Sequence, residues 1–201
     1  MVMAPPGPVP ERREAFMTPP GRNLRHACGM SEPHPLVIQL RFTRSEFLRG
    51  VKGVSDADGA VRLGPMNCIA WHVGHLAWQE QRYFVTLGQD RTPDPELAAT
   101  FAAGAPGTTP GLAETLARWR AITAEADPWL DTLSADQLEA KLVHQGRTVR
   151  TTTGNLMQRT IYHYWFHNGE NQAIRQQLGH ARLGQFVGNI DDEAPYRAEP
   201  R

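Results

Sequence analysis

From Leu36 onward apolar residues return at helical rather than strand spacing, and the pattern predicts four long helices. The first is expected over about 35–53, where Leu36, Leu40, Phe47, Leu48 and Val51 form one stripe. Ser55–Asp56–Ala57–Asp58–Gly59 supplies the turn residues that end it. The second is expected from an Asn67 cap to Leu87, with Gly88 just past its end. Its apolar side carries Ile69, Val73, Leu76, Tyr83 and Leu87. Residues 90–110 are rich in Pro, Gly and Thr and read as a long connection holding one short helix. The third helix takes Thr109 as cap and Pro110 as first residue, and shows Leu112, Leu116, Trp119 and Ile122. It meets Pro128, whose missing N–H should kink or restart it. Ser134-x-x-Gln137 has the spacing of a capping box for a short helix. Lys141–His144 and Thr148–Thr151, joined through Gln145–Gly146, read as a hairpin. The fourth helix is expected from about 154 to Leu178, stopped by Gly179. The expected fold is all-α: a four-helix bundle with one long crossover and a small β-hairpin before the last helix.

Composition divides the chain. Eight of the sixteen prolines precede Leu36, mixed with Gly21, Gly29 and the charges of Glu11–Arg12–Arg13–Glu14. Such a stretch cannot bury enough apolar surface to offset its ordering entropy. Residues 1–33 are therefore expected to be a disordered tail, 34–180 the helical domain and 181–201 a C-terminal tail. Met30 opens more ordinary sequence and is the expected translation start. Lys+Arg and Asp+Glu are 21 each, a formal net charge of +0, which gives no basic footprint for nucleic acid and no cationic face for a membrane. No apolar run approaches the roughly 18 residues of a membrane span. Cys28 and Cys68 make no C-x-x-C pair, and prolines and arginines stand where a signal peptide would be apolar. A reducing, cytoplasmic setting is the expectation.

The chemistry sits in the histidines. His163 and His167 are four apart in the fourth helix and so share one face, with Leu156, Thr160, Ile174 and Leu178 at successive helical spacings. Two imidazoles in an inward stripe either find hydrogen-bond partners or hold a metal ion, since unpaired burial costs about 1–3 kcal/mol each. A third ligand would come from Trp71–His72–Val73–Gly74–His75–Leu76. On a helical wheel His72 lies nearer the apolar stripe and His75 turns to the flank, so periodicity favours His72 without excluding His75. Glu170, three residues after His167, is a candidate to orient an imidazole or to act as a general base.

Asn67-Cys-Ile-Ala-Trp-His-Val-Gly-His-Leu-Ala-Trp-Gln-Glu80, His163-Tyr-Trp-Phe-His-Asn-Gly-Glu170 and Ile174-Arg-Gln-Gln-Leu-Gly179 together resemble the DinB/YfiT-like superfamily of metal-dependent proteins. The resemblance spans roughly 35–180. It implies His75 rather than His72 as the second-helix ligand, with Glu80 five residues on as its companion, and His163 and His167 as the other two ligands. It implies an up-down-down-up bundle, a homodimer, and one divalent ion: zinc or nickel first, iron or manganese next. It further implies a metal-dependent transferase or hydrolase acting on a small molecule, in its sharper form an S-transferase using a low-molecular-weight thiol. A non-catalytic metal-binding stress-response protein, or a helical interaction module, is the alternative on the same scaffold.

Overall fold

His34 caps the first of the described helices. Its Nδ1 accepts from the Leu36 N–H (3.1 Å), and Pro35 fills the first position of helix α1, Pro35–Val51, where no N–H is needed. The computed structural model describes residues 32–197. Nearly all of the expected N-terminal tail, and the last four residues, lie outside the described residues. After α1 come α2 (Asp56–Gly59), α3 (Ile69–Glu80), a π-helical segment (Gln81–Thr86), α4 (Leu87–Gln89), α5 (Glu96–Phe101), α6 (Leu112–Leu130) and α7 (Ala135–Glu139). The chain then makes the antiparallel strands β1 (Val143–His144) and β2 (Arg147–Thr148), the long helix α8 (Thr153–Gln177) and the short α9 (Ile190–Glu193). Among the described residues the protein is mostly helical, with a small two-stranded hairpin. Among the described residues no helix is long and apolar enough to cross a membrane.

Local chemistry explains most boundaries. Ser134 and Gln137 form both halves of the expected capping box. Gln145 (φ 49°) and Gly146 (φ 75°) both take positive φ, as a tight two-residue hairpin turn requires. The second long helix ends differently from expectation. Asp90 (φ 56°), not Gly88, takes the left-handed conformation, while Gly88 lies against Trp129, whose ring a Cβ would meet at 2.8 Å. Pro128 falls so near the end of α6 that the helix runs through it to Leu130. That helix starts two residues later than Thr109 suggests, and Asp56 Oδ1 accepts from the Ala113 N–H (2.8 Å) and anchors the first turn from outside.

In the packed interior α3 lies against α6, α1 against α8, and α3 also against α8 and α5. Leu40, Phe47, Ile69, Leu76, Ile122 and Met157 are fully buried there, each burial favourable by about 1.5–3 kcal/mol. One polar network crosses this core. Arg44 on α1 donates to both carboxylate oxygens of Glu80 on α3, its Nε bond to Oε1 being 2.7 Å. Tyr164 on α8 donates to the same Oε1 (2.7 Å) and accepts from Trp119 Nε1 on α6 (2.6 Å). Arg44 also reaches Asp127 Oδ1 (2.7 Å), so all four long helices meet at one ion pair. Burial opposes the charge on Arg44, yet the adjacent Glu80 carboxylate raises its pKa further. Burial, then the same carboxylate, raises that of the Tyr164 phenol.

Beyond Gly179 the chain returns along α1. Arg49 donates to the Gln185 carbonyl (2.7 Å) and covers the Phe186 ring (4.3 Å). Glu46 accepts from the Gly188 N–H (2.7 Å), and Gln39 donates to the Ala194 carbonyl (2.6 Å).

Removing Glu80 would leave a guanidinium buried without its partner. Glu80→Ala is expected to lower the free energy of unfolding by about 3–5 kcal/mol in chemical denaturation. A loss below about 1 kcal/mol, the range of an exposed pair, would show that the network does not hold the helices together.

Candidate metal centre

Helices α3 and α8 carry the cluster, and each ring is held from behind. His75 Nδ1 donates to the carbonyl of Phe101, the last residue of α5 (2.6 Å). That close approach needs Gly74: a Cβ there would stand 2.5–2.7 Å from the Phe101 ring. His163 Nδ1 donates to Gln79 Oε1 (2.9 Å), and His167 Nδ1 to Glu170 Oε2 (2.7 Å). With Nδ1 carrying the proton in every case, each Nε2 is left as a bare lone pair. His163 Nε2 and His167 Nε2 face each other at 2.8 Å. One ring nitrogen from each of His75, His163 and His167 lies within 4.8 Å of the others.

Two bare lone pairs at that distance repel, and a divalent ion taken up by both would relieve this as the rings part to about 3.3 Å. A proton is a poor candidate. Burial, reinforced by neighbouring imidazoles, pushes His163 and His167 down to about 3, and burial lowers His75 as well. At neutral pH the trio is therefore uncharged, which is the state that binds a metal ion. Imidazole nitrogens bond zinc at about 2.0–2.1 Å, and this donor set suits zinc, nickel, copper or iron. Trp71 and Trp78 stack on the His75 ring at 4.8 and 5.3 Å between centroids and screen it from water.

His72, which the wheel favours, is not in this trio. It is buried, donates from Nδ1 to Asn171 Oδ1 (2.8 Å), and points Nε2 toward Glu170 Oε2 (3.4 Å). Burial, then the neighbouring His167, lowers it to about 4. Glu80 does not serve His75 as expected. Five residues on is about 140° round the helix, so its carboxylate turns away to Arg44 and Tyr164. Tyr164 is fully buried in the core. His144 faces Asp90 (3.1 Å) and His180 faces Asp58 (3.4 Å), away from the cluster, while His26 lies outside the described residues.

Three supporting groups escape the sequence reading: the Phe101 carbonyl, Gln79 and Asn171. A backbone carbonyl leaves no mark of its own, but a glycine inside a helix beside a candidate ligand signals that another segment comes close. Gln79 stands four residues after His75, on the same face of α3.

A family model described as the DinB superfamily matches residues 39–170, 132 of the 201 residues, and the chain belongs to that superfamily. No curated protein matches it.

Gln79→Leu removes the acceptor that sets the His163 tautomer. Affinity for added zinc is expected to fall about 10–100-fold in calorimetric titration while helical circular dichroism is kept. Unchanged affinity would show that the ring needs no such support. In metal-free protein the depressed values also set a pH dependence. Unfolded histidines titrate near 6.5 and folded His72, His163 and His167 at about 3 to 4, so between these limits the unfolded chain binds more protons. Stability is therefore complete above about pH 6.5 and declines as pH falls toward 4. His163→Gln should flatten that decline in melts recorded across the range.

Proposed function

We propose that this member of the DinB superfamily binds one divalent ion through His75, His163 and His167, and is a metal-dependent transferase or hydrolase acting on a small molecule. The observation that carries the reading is the convergence of one ring nitrogen from each of the three imidazoles, with His163 Nε2 and His167 Nε2 2.8 Å apart. In the finer reading α1, the α3–α4 run, α6 and α8 make an up-down-down-up four-helix bundle with the ion toward one end. Zinc or nickel is the expected ion, and the protein works as a cytoplasmic homodimer.

A divalent ion on three neutral imidazoles keeps its full charge and keeps a position where a water or a thiol is acidified. The chain's residues do the rest. Phe101, Gln79 and Glu170 hold the three tautomers, so that no imidazole turns its N–H inward. Glu170 is only partly buried, and its carboxylate is free to take a proton from a bound nucleophile once the His167 bond is shared. A low-molecular-weight thiol is the co-substrate this site suits best, because its thiolate gains most from the uncompensated positive charge.

The protein is assayed with a panel of small thiols and electrophiles, with and without chelator. Activity is expected to need the ion and to vanish in His167→Ala, whose helical circular dichroism stays near wild type because the apolar core is untouched. Full turnover in that variant without metal would remove the three histidines from the chemistry. Stoichiometric metal with no turnover on any substrate class would favour the non-catalytic metal-binding alternative.

A further inference from the structure

Behind the trio lies a second set of donors, which adds His72 to two residues, His167 and Glu170, already part of the three-histidine site. His72, His167 and Glu170 each offer one ligand atom within 4.8 Å of the others, and Glu170 Oε2 stands 3.4 Å from His72 Nε2 and 2.7 Å from His167 Nδ1. Fully buried Asn171 gives its amide oxygen to His72 Nδ1, and its Nδ2 has no partner among the described residues. His72 is thereby held in the same tautomer as the trio, with a bare Nε2 aimed at a carboxylate oxygen. At 3.4 Å the pair is longer than a hydrogen bond, and neither atom carries a hydrogen to share. It matches the separation of two ligands on one tetrahedral ion, about 3.3–3.4 Å for bonds of about 2.0–2.1 Å. His167 belongs to both sets, presenting Nε2 to one and Nδ1 to the other.

We propose a second divalent-cation site formed by His72, Glu170 and His167 Nδ1, so that the His167 ring bridges two ions. It rests on the three-histidine reading above. When the second ion binds, the proton on His167 Nδ1 leaves to solvent and the nitrogen–metal bond takes its place, so one proton is released per ion. The resulting imidazolate and the Glu170 carboxylate together offset the two charges of the second ion, which makes two neighbouring cations tolerable. The trio, being neutral, offsets none.

Metal-free full-length protein is titrated with zinc and, separately, with copper(II), with bound ion counted at equilibrium by dialysis and elemental analysis. Two ions per chain are expected, the second weaker, with a buffer-dependent heat reporting the released proton. The dicopper form should show a coupled electron paramagnetic resonance spectrum of reduced intensity. His72→Gln should keep the first ion and lose both the second and the coupling. Glu170→Gln should also lose the second ion. A wild-type chain that stops at one ion, two ions without coupling, or a second ion that survives both variants would overturn the inference and leave the three-histidine site standing. A chain that binds no ion would overturn both.

Discussion

The buried ion pair between Arg44 and Glu80 is the constraint on which the rest of this structure turns. It joins α1 to α3, and through Tyr164, Trp119 and Asp127 it draws in α8 and α6. Apolar packing alone tolerates sliding and rotation of helices, because many arrangements bury similar area. A charge pair closed off from water does not, since any rotation that separates the partners strands a charge. Glu80 therefore sets the rotation of α3 about its axis, and with it the direction in which His75 points. Tyr164 does the same for α8, standing next in sequence to His163. The scaffold and the site share two helices and use different faces of each.

The price of the site is visible in the polar atoms it buries. Four imidazoles, two amides and a carboxylate occupy a region that could otherwise be apolar. Each ring is satisfied at Nδ1 and left with a lone pair at Nε2, which is unfavourable for folding and favourable for holding a cation. Local consistency elsewhere compensates. The Ser134–Gln137 box, the hairpin turn and the apolar interior agree with their sequences, while the ends expected at Asn67, Gly88 and Thr109 fall elsewhere. The π-helical segment Gln81–Thr86 follows directly on Glu80, where α3 passes from site to scaffold.

Much of this was open to reading along the chain, because it is local. The helical spacing of apolar residues, the Ser134–Gln137 box, the Gln145–Gly146 turn and the shared face of His163 and His167 depend on residues within a few positions of one another. Those features need no knowledge of what lies across the core. The choice between His72 and His75 is of another kind. Both sit on α3 three residues apart, and which ring joins His163 and His167 depends on how far α3 is turned, which is settled by Arg44 and Tyr164 from other helices. Glu80 shows the same limit from the other side: its spacing from His75 suggests a companion, and the ion pair takes it elsewhere. The Phe101 carbonyl comes from a connection whose path no local pattern specifies, and Asn171 meets His72 only because α3 and α8 are packed together. The sequence by itself determined the helices and the imidazoles they carry. Tertiary structure alone decided which nitrogens face one another, because that depends on the rotation of one helix against the next and on the charges that lock it.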